Sequence, residues 1–176
     1  MIEVNNKKFQ PYLKEEAIIE QVENIAGRIN AEYKDLRPLF IAVLNGSFMF
    51  ASDLFKCITI EAEISFIKLS SYEGSGSTGN VVTLIGLDKS LANRHVIILE
   101  DIIDTGKTLH EFLPQVLDQH PASLKIAALL HKPEAEVYPL TIDYVGFRVP
   151  NKFLLGYGLD YNGLGRNLKE IYQLVE

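Results

Sequence analysis

Two kinds of apolar pattern alternate along this chain. Residues 18, 19, 22, 25, 26, 29 and 33 are apolar, with Glu, Gln and Asn between them, which predicts an amphipathic helix over residues 15–34. Unbroken apolar runs at residues 39–44 and 96–99, and a run at 124–130 broken only by Lys125, predict strands buried on both faces, the signature of a parallel sheet. The first two runs each end in a polar loop and then a helical apolar pattern, over residues 48–58 and 109–117. Pro114 predicts a kink or a late start in the second of these helices. Residues 59–70 alternate apolar and polar, a half-buried strand, and a strand pattern resumes at 81–85 after a Gly/Ser-rich stretch. Strands at 142–147 and 170–175 complete an α/β fold: a parallel-dominated sheet of about five strands flanked by helices.

Composition narrows the class. The 176 residues, 47% hydrophobic and 23% charged, suffice for a single domain over 1–176 with a sizeable core. A net charge of −6 argues against a nucleic-acid binder or a protein of anionic membrane surfaces, because both need a basic face. The partner expected is a small molecule. Cys57 is the lone cysteine, so no intrachain disulfide can form, and a reducing cytoplasm is the expected location. No run approaches the roughly 18 apolar residues of a membrane span. His95, His110 and His120 are too scattered for a metal site, and His131 reads as structural.

The chemistry concentrates where the run at 96–99 stops. Glu100 and Asp101 are expected at the carboxyl end of that strand, where open α/β sheets place their ligands. Asp104-Thr105-Gly106-Lys107-Thr108 then leads into the helix, and small hydroxyl residues with a glycine there leave amides free to hold a phosphate. The upstream carboxylates would repel a phosphate chain but suit vicinal sugar hydroxyls or a magnesium ion. Three rival motifs fail. A Walker loop needs Gly where Asp101 stands; a phosphoryl-aspartate pair needs acids two apart, not three; an aspartic-protease half-site needs a second Asp-Thr-Gly.

Glu-Asp-Ile-Ile-Asp-Thr-Gly-Lys-Thr resembles the phosphoribosyl-diphosphate motif of the type I phosphoribosyltransferases, and more narrowly that of the hypoxanthine-guanine phosphoribosyltransferases. The resemblance implies that Asp104, Thr105, Gly106, Lys107 and Thr108 hold a 5'-phosphate, that Glu100 and Asp101 meet the ribose hydroxyls directly or through Mg²⁺, and that Asp104 is the catalytic acid/base. Leu44-Asn45-Gly46-Ser47 is similar to the family's pyrophosphate loop, with a cis peptide before Asn45, although many relatives carry Lys in place of Asn45. Ser71 and Tyr72 match the closing pair of a flexible lid. Lys132 matches the donor to the six-oxo group of a purine; a lysine can only donate, which disfavours the six-amino group of adenine.

The stretch Val-Pro-Asn-Lys-Phe-Leu-Leu-Gly-Tyr-Gly-Leu-Asp-Tyr at 149–161 also resembles the family's pattern. It implies that Phe153 stacks on the purine, that the Leu154 backbone meets the purine edge, and that Asp160, at the purine, is a further magnesium ligand beside Glu100 and Asp101. Arg166 matches a pyrophosphate contact, with Asn45 and Gly46. The family also implies a small hood from residues 1–14 and 150–176, a homodimer or homotetramer, and transfer of a phosphoribosyl group to N9 of hypoxanthine, guanine or xanthine. Two alternatives remain at this stage: a nucleic-acid-binding regulator on the same fold, disfavoured by the acidic charge, and a transferase for another base.

Overall fold

The structure, a computed structural model, describes residues 1–71, 81–85 and 89–175. In chain order the elements are β1 (Ile2–Val4), β2 (Lys7–Leu13), α1 (Glu15–Glu32), β3 (Leu39–Leu44), α2 (Phe48–Lys56), β4 (Glu63–Ser71), β5 (Val81–Ile85), β6 (His95–Ile103), α3 (Lys107–Leu117), β7 (Ser123–His131), a 3₁₀ turn (Pro133–Ala135), β8 (Tyr144–Arg148), β9 (Leu154–Leu155) and β10 (Ile171–Leu174).

The main sheet has the order β5-β4-β3-β6-β7-β8. Every pairing in it is parallel except that of β4 with the edge strand β5. The unbroken apolar runs follow from cover on both sides. On one face Phe40, Ala42, Ile97 and Leu99 pack with Ile18, Val22, Ile25 and Ile29 of α1 and with Phe50 and Leu54 of α2. On the other, Leu39, Ile41, Val43, Val96 and Ile98 pack with Leu109, Phe112 and Val116 of α3. Neighbouring residues of one strand thus serve opposite cores, leaving no polar face to read.

This topology sets the position of the site. From β3 the chain passes through α2 to β4 on one side; from β6 it passes through α3 to β7 on the other. The loops leaving β3 and β6 therefore diverge, and a crevice opens between adjacent parallel strands at the switch point of the sheet.

A second sheet, β1-β2-β10-β9, joins residues 2–13 to residues 154–174, all its pairs antiparallel. Leu154 and Ile171 of this sheet bury into the α1/α2 side of the core.

Some elements differ from the sequence expectation. The strand expected from residue 59 begins at Glu63, because the Asn30 side chain occupies the Cys57 carbonyl and the Thr59 amide and holds that stretch as a loop against α1. Helix α3 starts promptly at Lys107 and runs through Pro114. The proline leaves the His110 carbonyl without its helical donor, while its own carbonyl accepts the amide of the C-cap residue Asp118 at 2.9 Å.

Candidate active site

Strand β6 outruns β3. Their ladder ends with Ala42 opposite Leu99, while β6 continues to Ile103 against β7. Glu100 and Asp101 lie at the carboxyl end of this strand, as expected, within the part of it that only β7 continues to pair. They face the crevice. A pocket of about 250 Å³ is lined by Gly46, Glu100, Asp101 and the whole segment 102–109, and closed by Val43, Leu44 and Leu69.

The loop after β3 approaches that acidic wall closely. A Cβ on Gly46 would lie 1.8 Å from Asp101 Oδ2, so only glycine fits there. The Leu44–Asn45 peptide is cis, as the family resemblance implies. Ser47, fully buried, turns its hydroxyl onto the Val43 carbonyl at 2.6 Å and fixes the exit into α2.

Gly106 takes φ +80° immediately before α3, and a Cβ there would lie 2.3 Å from the Tyr138 carbonyl oxygen. Gly106, as cap, has no side chain to offer; the Lys107 amide donates to Thr105 Oγ1 at 3.3 Å, and the start of α3 lines the pocket through Thr105, Gly106, Lys107 and Thr108. From behind, the Val137 and Tyr138 amides donate to the Thr105 carbonyl at 3.0 and 2.9 Å. Segment 133–140 thus backs the cradle.

Burial pushes the Glu100 carboxyl well up from the ordinary carboxylate range, and the charge and hydrogen bond of Asp101 push it further. Burial likewise raises Asp101 to about 6, opposed by the amides of Ile102 and Asp101 itself and by the Arg166 charge. Two desolvated carboxylates in one pocket favour a partner that brings positive charge or hydroxyl donors. Such hard oxygens fit magnesium, which takes one or two carboxylates and completes its shell from substrate oxygens and water. Glu100 and Asp101 are positioned for this. Asp160 is already committed: its oxygens take Arg166 Nη2 and the Gly163 amide, each at 2.7 Å. Among the described residues no three His, Cys, Asp or Glu gather into a metal cage.

A second pocket, of about 270 Å³, shares Asp101, Ile102 and Asp104 with the first and adds Lys132, Phe153, Leu154, Leu159, Asp160 and Arg166. Lys132, only 7% exposed, follows β7 and donates to Asp104 Oδ2 at 2.9 Å. Phe153 is 43% exposed, one side open to the pocket. Behind it stand Phe9 and Tyr161, with ring centres 6.3 and 5.5 Å away. Leu154 is buried and paired with Gln173 through β9 and β10. Arg166 donates to the Gly158 carbonyl at 2.6 Å.

Of the expected site residues other than the lid pair, all but Asn45 line one of these two pockets. Asn45 follows the cis bond and accepts the Phe48 amide. Ser71 is the last residue of β4, and Tyr72 lies outside the described residues. Sequence reasoning gave no role to Ile102 and Leu69, which wall the pockets, to Phe9, or to Gly158, which touches the Gly46 loop. For Gly158 a signal was present in the alternation of glycines around Tyr157; for the others there was none.

With this geometry in view, the relatives are informative. The phosphoribosyl transferase domain family matches residues 10–162. A hypoxanthine-guanine phosphoribosyltransferase of Lactococcus lactis is 40% identical, covering 89% of this chain and 85% of its own. That of Aquifex aeolicus is 36% identical over the full length of both. Among solved structures, a hypoxanthine-guanine phosphoribosyltransferase from Bacillus anthracis superposes with a TM-score of 0.89 at 37% identity, covering 97% of this chain and 100% of that one. The chain belongs to the phosphoribosyl transferase family and, within it, to the hypoxanthine-guanine phosphoribosyltransferases.

Proposed function

We propose that this protein transfers the 5-phosphoribosyl group of phosphoribosyl diphosphate to N9 of a six-oxopurine, making IMP or GMP and releasing pyrophosphate, as a step of purine salvage. The observation that carries this reading is the pair of pockets sharing Asp101, Ile102 and Asp104: a sugar-phosphate seat and a base seat meet at one wall.

In the first pocket the amides and hydroxyls of residues 105–108 take the 5'-phosphate, and Glu100 and Asp101 take the ribose hydroxyls. In the second, Phe153 stacks on the base. The six-oxo oxygen and N7 lie side by side on one edge of such a purine, as Lys132 Nζ and Asp104 Oδ2 lie side by side, 2.9 Å apart. Lys132 donates to the oxygen, and Asp104 receives the N7 proton. As the bond from C1' to the pyrophosphate oxygen breaks and the N9–C1' bond forms, that proton passes to the Asp104 carboxylate. Amides near Asn45 and Gly46, with Arg166, stabilise the charge left on pyrophosphate. Magnesium, which Glu100 and Asp101 would hold with the donor's own oxygens, supplies further positive charge there.

The four-stranded sheet serves as a hood that carries Phe9, Leu154 and the approach to Phe153. Phe48 and Phe66, large and exposed, support assembly into a homodimer or homotetramer. No described helix is long and apolar enough to cross a membrane; a cytoplasmic place is part of the proposal. The test is incubation with phosphoribosyl diphosphate, Mg²⁺ and each of hypoxanthine, guanine, xanthine, adenine and uracil, read by absorbance. Nucleotide from hypoxanthine or guanine and not from adenine is expected. Product from none of the bases overturns the reading.

A further inference from the structure

Tyr157 lies between two glycines, and all three residues have positive φ: +102° at Gly156, +48° at Tyr157 and +98° at Gly158. Positive φ is uncommon for a bulky residue and marks backbone held by its surroundings. The Tyr157 ring is 2% exposed, within the core shared with α1 and α2. Its hydroxyl donates to Asp53 Oδ2 at 2.6 Å, a bond spanning 104 residues, and the other Asp53 oxygen faces Lys56 Nζ at 2.6 Å.

Asp53 stands on α2, the helix that begins directly after Gly46-Ser47. From Tyr157 the chain steps to Gly158, where a Cβ would lie 2.0 Å from the Gly46 carbonyl oxygen. Gly46 in turn lies against Asp101. Gly158 is gripped on its other side by Arg166, which donates from Nη1 to its carbonyl at 2.6 Å and accepts its amide at 3.0 Å. A closed circuit results: α2 to Asp53, to Tyr157, to Gly158, to the Gly46 loop and back into α2.

We propose that Tyr157 is a positioning residue of the pyrophosphate subsite, its hydroxyl bond to Asp53 fixing how closely Gly158 and Arg166 approach the Gly46 loop. This rests on the functional reading above and adds the residue pair that sets the shape of its pyrophosphate end. The ring itself touches neither pocket; it acts through Gly158. A buried hydroxyl bonded to a carboxylate makes a directional, charge-assisted contact. Apolar packing of the ring alone would leave the segment free to shift by a fraction of an ångström, and such misplacement is costly in a preorganised site.

The test uses the full-length enzyme. Tyr157→Phe keeps the ring and removes only the hydroxyl. Its KM for phosphoribosyl diphosphate, and for pyrophosphate in the reverse reaction, is expected to rise about tenfold, in line with one lost charge-assisted hydrogen bond. The KM for hypoxanthine at saturating donor should change less than about twofold, within the effect of an unrelated surface change. Asp53→Asn keeps an acceptor for the hydroxyl and should retain donor affinity; Asp53→Leu should match Tyr157→Phe. Should Tyr157→Phe fail to fold, the Asn and Leu variants at Asp53 carry the same comparison. Unchanged KM values in Tyr157→Phe, a loss spread equally over donor and base, or identical behaviour of Asp53→Asn and Asp53→Leu overturns the proposal. A wild-type enzyme that forms no nucleotide with any base overturns instead the functional reading beneath it.

Discussion

Lys132 Nζ donates to Asp104 Oδ2 at 2.9 Å, a buried ammonium held by a half-exposed carboxylate. In the proposed reaction both groups turn to the same edge of the base. Replacing Asp104 by Asn keeps the size and the acceptor but removes the proton acceptor. Asp104→Asn is expected to lower kcat by 10² or more, as loss of a general base does, with the donor KM little changed. An unchanged kcat in steady-state assays would rule out the acid/base role.

Lys132 offers donors only, whereas glutamine offers a donor and an acceptor. Lys132→Gln is expected to lose hypoxanthine efficiency and to narrow the hypoxanthine-to-adenine preference by more than about tenfold, because the amide oxygen can accept from a six-amino group. Competition assays with the two bases measure the ratio; an unaltered ratio places base discrimination elsewhere.

Asp101 bears on stability as well as binding. Its folded pKa, raised by burial to about 6, lies above the ordinary aspartate value. The folded protein therefore holds a proton that the unfolded chain has already released. Stability falls as pH rises through the interval from the ordinary value to about 6, and stays lower above it. Without added metal, Asp101→Asn is expected to melt higher than wild type at pH 8 and to lose that advantage at roughly pH 4, where both forms are neutral. Thermal melts across that range test this. A wild type at least as stable at pH 8 would show that burial costs Asp101 nothing.

A methyl group separates two glycines of the site. On Gly46 it would strike Asp101 Oδ2 at 1.8 Å, whereas on Gly163 it meets no atom within 4 Å and carries only the strain of φ +82°. Gly46→Ala should lose about 10² or more in kcat/KM for the donor by displacing Asp101. Gly163→Ala should lose about 1 kcal/mol of stability while keeping its kinetics. Chemical denaturation beside initial-rate assays distinguishes the two.

Phe153→Ala is expected to raise the KM for hypoxanthine about tenfold, the scale of one lost aromatic contact, and to leave the donor KM unchanged. Equal effects on both substrates would mean that the ring supports the fold and not the base.

How much of this was legible depended on how each residue is buried. The runs in β3, β6 and β7 could be read because helices cover both sheet faces. The 104–108 loop could be read because its chemistry is local. Strand β2 could not: of Lys7–Leu13 only Phe9 is fully buried, and Pro11 interrupts its letters, so no alternation marks it as a strand. Glu100 and Asp101 were legible as an acidic wall at the strand's carboxyl end; that β6 runs on to Ile103 was not, because its length there is set by β7, which the letters of β6 do not show. The Tyr157–Asp53 bond joins two segments 104 residues apart, and nothing near either residue announces the other.

In the four-stranded sheet, β10 sits between β2 and β9. A growing polypeptide emerging from the ribosome can assemble the main layer and its phosphate cradle early, yet β2 must wait for residues 171–174 before it gains that neighbour. On the proposed function, the sheet beside the base seat is thus completed last, and a chain cut short before β10 would keep the loop at 104–108 with β2 and β9 lacking the strand that joins them.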